Sequence, residues 1–550
     1  MPKMAPSTLR IGRRYRPNRL LSAYDTVVIG SGIGGLTTAA LLSDLGQTVC
    51  VLEQHYTAGG YTHSYERNGY EWDVGVHYIG DVGAQTTTRR MFDYLSQGQL
   101  LWSPMDNEYD RYYIGAKVYN ARAGKQEFRD NLVRQFPDEV TAIDRYMKLL
   151  AKSGKAMAAF GMSRAMSTLQ YVLMWPYLRL KSPRLLFRNT YDVLSELTDN
   201  KELIAVICGQ WGDMGLPPKR STFMVHAMIA RHYLHGGFYP VGGAWKIADT
   251  IIPKIQAAGG EVFTYACVDE ITVADGKVSG VTMQDGHHIA CSRVVSAAGI
   301  ANTFQKLLPA SAAERCGFRA GMQGVEPSYA HLGVYIGLKG TAQDLGLPRT
   351  NFWIYPDSDY DAAVERFIDD GSTPFPVVYI SFPSAKDPDY NNRHPGTSTI
   401  EIVAPAPYQW FAKWNDEVWG KRGEDYEALK AELGDRLMEH LYDKLPQLRG
   451  KVDYYEVSTP VSTNWFGGYQ QGELYGLAHT PERMQQRWLR TRTRIPGLWL
   501  TGQDILTCGV TGAMMAGMLT TSSIVGVRKM APLMKQIFSG STRKTLPATS

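Results

Sequence analysis

The stretch YDTVVIGSGIGGLTTAALLSDLGQTVCVLEQ, residues 24–54, constrains the fold more than any other stretch of the chain. Thr26–Ile29 is a short β-branched run, and the glycines that follow it make the pattern GxGxxG. Residues 36–45 then read as a helix of small and apolar residues, and residues 47–52 as a second strand that ends at Glu53. Together these features predict the βαβ unit of a dinucleotide-binding domain.

Each glycine of this pattern has its own physical role. Gly30 permits the tight turn, Gly32 lets the backbone approach a pyrophosphate, and Gly35 lets the helix pack closely on the strand. The helix N-terminus offers free N–H groups and a positive dipole end to the phosphates, and Ile33, in the glycine-rich turn, is a further predicted cofactor residue. Glu53 is placed to accept hydrogen bonds from a ribose diol, and an acid there disfavours the 2′-phosphate of NADP.

A second anchor lies at the far end of the chain, in IPGLWLTGQDILTCGVTGAMMAGMLTTSSIVG. Leu498–Leu500 is predicted to be a strand, Gly502 and Asp504 follow it, and a helix begins near Val510 and Thr511. We expect Asp504 to contact the ribityl chain or pyrophosphate side of a flavin. The helix N-terminus would face the pyrimidine edge, where its dipole would stabilise the negative charge of a reduced flavin. The predicted cofactor is therefore FAD.

The segment between the anchors contributes a third piece. Residues 259–299 read as a β-meander with hairpin turns at ADGK and QDGH. Val268 is placed for a backbone contact with an adenine, and the run VVSAAG is expected to return the chain to the parallel sheet.

These segments resemble the FAD-dependent amine oxidase and phytoene desaturase superfamily across residues 24–526. The branch they resemble most contains the retinol saturases (all-trans-retinol 13,14-reductases) and carotenoid isomerases. The resemblance rests on GGYTHSYERNGYEWDVGVHYIG, FYPVGGAWKIADTI, GELYGLAHT and LTGQDILTCGVTGA. The fold that it implies is α/β, a two-domain FAD-binding Rossmann-type (glutathione-reductase-like) architecture with an inserted mixed α+β substrate domain.

The resemblance also implies which residues approach the cofactor. Gln54 follows the acid at the end of the second strand. In that family the positions that are here Gly60, Tyr61 and Thr62 pass beside the pyrophosphate and the flavin ring. Close approach of backbone to cofactor explains the glycines there.

Candidate catalytic residues come from two further segments of the resemblance. YEWDVGVHYIG would bring His77 and Tyr78 toward the flavin and the substrate tunnel, and ELYG would bring Glu473 and Tyr475 to the flavin. A histidine that only fixes a loop is the competing interpretation for His63.

No metal site is predicted from the histidines, because His63 and His77 lack the ligand spacing of known metal motifs. Glu71 and Asp73 are interpreted as surface charges and are not paired as acid and base.

The resulting domain boundaries divide the FAD-binding domain into three segments. In chain order the predicted units are 1–21, a basic N-terminal arm; 22–112, the first FAD-binding segment; 113–237, a helical insertion that faces substrate and membrane; 238–318, the second FAD-binding segment; 319–485, the substrate domain; 486–530, the third FAD-binding segment; and 531–550, a C-terminal tail.

Basic residues are concentrated in two segments. Residues 1–24 and 145–191 contain lysines and arginines and no acid, whereas acids outnumber bases elsewhere. The second segment also holds Tyr171, Trp175 and Tyr177, and aromatic bulk with only positive charge is typical of a surface that lies on a membrane. A lid helix with a solvated basic face is the alternative. We expect a peripheral membrane partner and no nucleic acid.

The chain has no apolar window of about 18 residues that would predict a transmembrane helix. Its N-terminus lacks the apolar run of a signal peptide. The six cysteines lie far apart without a CxxC pair, which favours a reducing compartment. The expected location is cytoplasmic, with peripheral association to a membrane.

The predicted function is that of an FAD-dependent oxidoreductase acting on one C=C bond of a long apolar polyene, with retinol-saturase-like reduction as the main hypothesis. A cis–trans carotenoid isomerase and a desaturase are alternatives on the same flavin. A prenyl-binding module of the GDP-dissociation-inhibitor type, without redox chemistry, is an alternative of another class. No second dinucleotide motif is evident, so the electron donor stays unidentified.

Overall fold

A parallel six-stranded sheet, here called the nucleotide sheet, brings the two ends of the chain together. The structure is a computed structural model in which residues 9–181 and 184–539 are described. The strands lie in the order Arg13–Arg14, Glu261–Thr264, Val49–Leu52, Thr26–Ile29, Val294–Ser296 and Leu498–Leu500, and all neighbours are parallel. The predicted α/β Rossmann-type fold is confirmed.

One helix, Ile33–Asp44, is buried almost all round because it packs between two others. Lys246–Ala257 lies on one side and Gly509–Val525 on the other. The contact with Gly509–Val525 depends on small residues: a Cβ atom on Gly34 would lie 3.0 Å from the Ala513 carbonyl oxygen, and one on Gly517 would lie 2.6 Å from the Gly34 carbonyl oxygen.

The N-terminal segment differs from the free basic arm that its composition predicts. Arg13–Arg14 forms the edge strand of the nucleotide sheet beside Glu261–Thr264. The Arg13 guanidinium lies 3.4 Å from Glu261, and the Arg14 guanidinium lies 4.7 Å from the ring centroid of Tyr265. Two basic side chains of the segment therefore contact the body of the protein.

A second sheet, here called the substrate sheet, faces the nucleotide sheet across the main cavity. Its seven strands lie in the order Val452–Ser458, His331–Lys339, Thr397–Pro405, Val378–Ser381, Asn351–Tyr355, Glu108–Ile114 and Lys117–Arg122. The predicted boundary at residue 112 falls inside one of these strands. The cause is that Glu108–Ile114 pairs in parallel with Asn351–Tyr355, a contact that local sequence does not reveal.

Three smaller β-structures and the helices complete the fold. The meander consists of Val268–Ala274, Lys277–Met283 and His288–Ala290, and two hairpin-like pairs are Ser64–Arg67 with Tyr70–Asp73 and Trp102–Pro104 with Phe238–Pro240. The α-helices not yet named are Thr87–Leu95, Lys125–Gln135, Val140–Ala165, Thr168–Lys181, Thr190–Ser195, Lys201–Ile207, Phe223–His232, Ile300–Asn302, Ala310–Arg315, Phe318–Met322, Tyr360–Asp369, Pro383–Lys386, Tyr390–Arg393, Gly423–Lys444, Pro460–Gly467, Pro481–Gln485 and Val527–Ser539.

Within residues 9–181 and 184–539, no helix combines the length and the hydropathy needed to cross a bilayer.

Replacing Gly35 with alanine tests the close packing of the first helix on its strand. A Cβ atom there would lie 2.2 Å from the Gly30 carbonyl oxygen, which is backbone and cannot rotate away. We expect Gly35→Ala to lower the free energy of unfolding by about 3 kcal/mol, as overpacking does, in denaturant titrations followed by circular dichroism. Gly32→Ala is the matched control, because no atom lies within 4 Å of its added Cβ. Equal stability of the two variants would contradict this packing.

Candidate functional site

One large cavity of about 1700 Å³ lies between the two sheets. Single ligand pockets are typically about 300–1000 Å³, so this volume suits a cofactor together with a second molecule. Its walls come from the glycine-rich loop, from the segment after Glu53, from the substrate sheet and from the start of Gly509–Val525. We call the region beside the nucleotide sheet the glycine section and the region beside the substrate sheet the aromatic section.

Two uncapped helix N-termini open into the glycine section. Ile33–Asp44 begins after Gly32 and Gly509–Val525 begins after Cys508, and neither start has a side-chain cap. The first N–H groups of a helix need an acceptor from a side chain, water or a ligand. Because both positive dipole ends meet in one cavity, the donor set fits an anionic, dinucleotide-sized group.

Most of the predicted cofactor residues line this section. The residues on its wall are Gly30, Gly32, Ile33, Gly35, Glu53, Gln54, Gly60, Tyr61, Thr62, Val268, Gly502 and Val510. The loop that carries Gly60 lies directly against the glycine-rich turn, since a Cβ atom on Gly60 would be 2.9 Å from Gly32 Cα. Asp504 and Thr511 are absent from the wall that the described residues form.

Glu53 is more engaged with the chain than its predicted role requires. Its Oε2 accepts hydrogen bonds from the Ser31 N–H at 2.9 Å and the Ser31 hydroxyl at 2.7 Å, and its Oε1 accepts from the His55 N–H at 2.9 Å. The Ser31 hydroxyl oxygen in turn accepts from the Gly59 N–H. A carboxylate has about four acceptor sites, so one stays open toward the cavity.

Asp504 is held by two backbone donors, and its contact with the flavin stays a prediction. Its Oδ2 accepts the Ile300 N–H at 2.8 Å and its Oδ1 accepts the Leu477 N–H at 2.9 Å, and the residue is buried. Asp504 therefore ties two loops to the end of Leu498–Leu500. The sequence could not show this, because both partners are backbone groups from distant segments. The hydroxyl oxygen of Thr511, another predicted cofactor residue, is buried without a hydrogen-bond partner in the described chain.

Of the two predicted catalytic residues His77 and Tyr78, only His77 lies in the aromatic section. His77 lies on its wall beside Tyr379, with ring centroids 5.3 Å apart. Burial, with a smaller effect of Lys386, lowers the pKa of His77 to about 4, so the ring is neutral at neutral pH. Tyr78 points away from the wall: its hydroxyl donates to Asp110 at 3.0 Å, and its ring stacks on Tyr233.

Of the other two predicted catalytic residues, Glu473 and Tyr475, only Tyr475 lies on the cavity wall. Tyr475 lines the cavity, and its N–H donates to the Ser328 hydroxyl oxygen at 2.9 Å. Glu473 lies behind the wall, where its Oε2 accepts the Gln471 N–H at 2.7 Å and its carbonyl oxygen accepts the Tyr61 hydroxyl at 3.3 Å. Glu473 is thus placed to hold the loop and Tyr61 in position.

Sequence inspection missed a cluster of buried ionisable residues behind His77. Glu401, Lys386 and Asp73 are each at most 1% exposed. Lys386 Nζ donates to the His77 carbonyl oxygen at 3.0 Å, to the Ser381 hydroxyl oxygen at 2.7 Å and to the Asn351 side-chain oxygen. Burial lowers the pKa of Lys386 to about 7 and raises those of Asp73 to about 7 and Glu401 to about 8.

The interpretation of Glu71 and Asp73 as surface charges is wrong. Both are buried, because Ser64–Arg67 and Tyr70–Asp73 pack against the substrate sheet. Asp73 accepts hydrogen bonds from the Tyr239 hydroxyl and the Ala244 N–H, and Glu71 pairs with the Arg393 guanidinium at 2.6 Å.

One further acidic side chain, Asp213, reaches the cavity from the helical insertion. It lies on the wall, and the Tyr78 hydroxyl is 3.4 Å from its Oδ2. Burial, with the nearby Asp110 carboxylate, raises the pKa of Asp213.

His63 occupies the place expected of a histidine that fixes a loop. Its Nδ1 lies 2.6 Å from the Gly60 carbonyl oxygen, and burial lowers its pKa to about 3. Elsewhere Glu66, Glu71 and His394 bring potential ligand atoms within 4.8 Å of one another. The Arg393 cation already occupies that position by pairing with Glu71.

Comparisons with known proteins agree with this architecture. The family described as NAD(P)-binding Rossmann-like domain matches residues 28–95. All-trans-retinol 13,14-reductase of Homo sapiens is 37% identical to this chain over 93% of it and 87% of its own length. An inactive all-trans-retinol 13,14-reductase of Danio rerio is 30% identical over the same shares, and prolycopene isomerase of Daucus carota is 25% identical over 93% and 82%.

A solved structure supports the fold. Cyclohexylamine oxidase from Brevibacterium oxydans superposes with a TM-score of 0.58 at 15% identity and covers 93% of this chain and 100% of its own.

Replacing Asp504 with asparagine distinguishes a structural brace from a cofactor ligand. Asparagine keeps one oxygen, and its NH₂ group would meet one of the two buried N–H donors. We expect Asp504→Asn to lower the free energy of unfolding by about 1–3 kcal/mol without added flavin, because a buried donor loses its acceptor. The exposed Asp275→Asn variant is the control. Unchanged stability together with weaker flavin binding would contradict the bracing role.

Proposed function

This chain belongs to the all-trans-retinol 13,14-reductase family of oxidoreductases, and we propose that it is an FAD-dependent reductase that saturates one C=C bond of a retinoid or a similar polyene. The observation that carries the proposal is that two uncapped helix starts adjoin a wall of aromatic side chains in the same large cavity. Membership of this family replaces the hypothesis of a prenyl-binding module.

The glycine section supplies the groups that would hold FAD. The N–H groups after Gly32 would bind the pyrophosphate, the open acceptor site of Glu53 would bind a ribose hydroxyl, and Val268 would lie beside the adenine. The helix start at Val510 would stabilise negative charge on the isoalloxazine. When bound, FAD supplies the hydride for reduction.

The aromatic section has the shape and composition for a long apolar substrate. Trp353 and Tyr379 have ring centroids 4.5 Å apart and form one side of it, and Val377, Val403 and Ala404 add apolar surface. Such a wall excludes water and binds a conjugated chain by burial of apolar area. His77, His331 and Asp213 are among the polar side chains on the cavity wall.

Product mass separates reduction from the other reactions of the same cofactor. We expect protein loaded with FAD and reduced anaerobically to convert all-trans-retinol, or another member of a retinoid and carotenoid panel, to a product heavier by two hydrogens. Gly32→Val is the control, since its side chain enters open space in the protein but blocks the backbone approach to FAD. An unchanged mass with an altered isomer, as the carrot relative's name would suggest, or a loss of two hydrogens, contradicts the proposal. Absence of any product, as in the inactive relative, also contradicts it.

We further propose that the helix Thr168–Lys181 rests on an anionic lipid surface. Leu169 and Leu173 are each 70% exposed, and Leu180 is 84% exposed, which is unusual for side chains of this size. The Arg487 guanidinium lies 5.8 Å from the ring of Tyr171 and places a positive charge beside the apolar face.

The rest of the basic segment is divided between surface and core. Arg145, Lys148, Lys152 and Lys155 are exposed on the preceding helix, Val140–Ala165. Arg164 is buried, with its guanidinium donating to the carbonyl oxygens of Met484, Gln486 and Leu489. Arg164 therefore contributes to packing and not to the basic surface.

Vesicle flotation tests this surface. We expect the protein to float with phosphatidylserine-containing vesicles and less with neutral phosphatidylcholine vesicles, because each nearby basic residue adds about 1 kcal/mol. Leu173→Glu should weaken binding about tenfold or more, since burial of a leucine is worth about 1.5–3 kcal/mol. Val118→Glu adds the same charge at an exposed site on the substrate sheet and should bind normally. Equal binding of both variants would contradict the proposal.

A further inference from the structure

Glu401 and His77 form a hydrogen-bonded pair where the buried cluster meets the cavity. His77 Nδ1 lies 2.7 Å from Glu401 Oε2, and the exposed fractions of the two side chains are 16% and 1%. His77 belongs to the cavity wall, whereas Glu401 lies behind it. One imidazole ring thus connects a fully buried acid with the space proposed for the substrate.

The strand Thr397–Pro405 places the acid there by alternation. Ile400 and Ile402 point into the hydrophobic core on one face of the substrate sheet. Glu401 therefore points to the opposite face, where Tyr335 and Ser381 are its partners in register. Its other oxygen, Oε1, accepts the Asp73 N–H at 2.7 Å, so the carboxyl group is held at both ends.

The surroundings determine where the protons lie. Burial raises the pKa of Glu401 to about 8 and lowers that of His77 to about 4, so both groups are neutral at neutral pH. A neutral carboxyl group must donate from Oε2 to Nδ1, and the ring hydrogen of the neutral imidazole then lies on Nε2. Nε2 has no hydrogen-bond partner among the described residues.

We propose that Glu401 is a positioning residue that fixes His77 with its hydrogen on Nε2 and restores the proton that His77 gives to the substrate. This inference rests on the proposed reduction of a polyene in the cavity. His77 is then the catalytic acid, because its ring belongs to the cavity wall while its Nδ1 is bound to Glu401, and Glu401 acts only through it.

The proton and electron count of the reduction balances with this pair. The π bond breaks and one C–H bond forms on each carbon: the hydride from the reduced flavin supplies both electrons and one hydrogen, and His77 Nε2 supplies the other hydrogen as a proton. As that N–H bond breaks, the Glu401 proton moves to Nδ1, which leaves a neutral ring and a carboxylate. The positive charge of Lys386, when that group is protonated, favours this carboxylate, and water returns the proton after turnover.

The charged and titratable groups around the pair come from several elements. They are Asp73 and Glu71 from the hairpin, Lys386 from Pro383–Lys386, His331 and Tyr335 from the neighbouring strand, Tyr379 from Val378–Ser381 and Tyr239 from Phe238–Pro240.

Infrared spectroscopy of the purified protein tests the protonation state without any turnover. We expect the carbonyl stretch of a protonated carboxylic acid at pH 7 that disappears in Glu401→Gln and shifts in His77→Gln, which replaces the imidazole acceptor with an amide oxygen. Asp361→Asn, at a buried acid away from the cavity, is the control and should keep this band. A band that both Glu401→Gln and His77→Gln leave unchanged, or no such band at pH 7, overturns the proposal. If Glu401→Gln does not fold, the shift in His77→Gln decides.

Single-turnover kinetics test the role in proton delivery. Glutamine can still donate to Nδ1 but cannot supply a proton, so Glu401→Gln should lower the rate of product formation by about 10²-fold or more. Its affinities for FAD and for retinol should be unchanged. A large loss in Asp213→Asn with a normal rate in Glu401→Gln overturns the assignment in favour of the other acid on the wall. If the wild-type protein reduces no polyene, the proposed function fails, while the infrared result still decides the state of Glu401.

Discussion

The close contact between the helices Ile33–Asp44 and Gly509–Val525 is the feature on which the site depends. Side chains larger than hydrogen at Gly34 or Gly517 would collide with backbone atoms of the facing segment. Only at this separation do two helix starts, from opposite ends of the chain, open into the same cavity. Their unsatisfied N–H groups and aligned dipoles then create a region of positive potential that an anionic cofactor can neutralise.

The second feature on which the site depends is the difference in polarity between the glycine section and the substrate sheet. The sheet presents aromatic rings to the cavity, and behind the rings it buries Asp73, Glu401 and Lys386. Buried charges are costly unless they are paired or neutralised. Here hydrogen bonds satisfy the groups and protons neutralise several of them, so that the wall holds exchangeable protons next to an apolar space.

The features of the fold and site that could be predicted from the sequence are those set by local patterns, whereas contacts between segments distant in sequence could not be predicted. GxGxxG and the glycine-bearing terminal segment are local patterns, and they predicted the nucleotide sheet and most of the residues along the glycine section. The bracing role of Asp504 gave no local signal, because its partners are backbone groups far away in sequence. The burial of Glu401 could not be predicted from the sequence. Its neighbours Ile400 and Ile402 face the core, so Glu401 lies on the opposite face of the strand, and that face could equally contact solvent or a buried cluster. Tyr78 and His77 are adjacent, yet only one reaches the cavity, a difference that depends on tertiary packing.

Flavin content is the measurement that tests the central claim most directly. We predict that the purified chain binds one FAD, seen as a visible flavin spectrum and quantified after release. Gly34→Val, which would force the two helix starts apart, should lose that FAD while a Gly46→Asn variant at an open turn keeps it. A wild-type chain that retains no flavin when saturated with FAD would contradict the account.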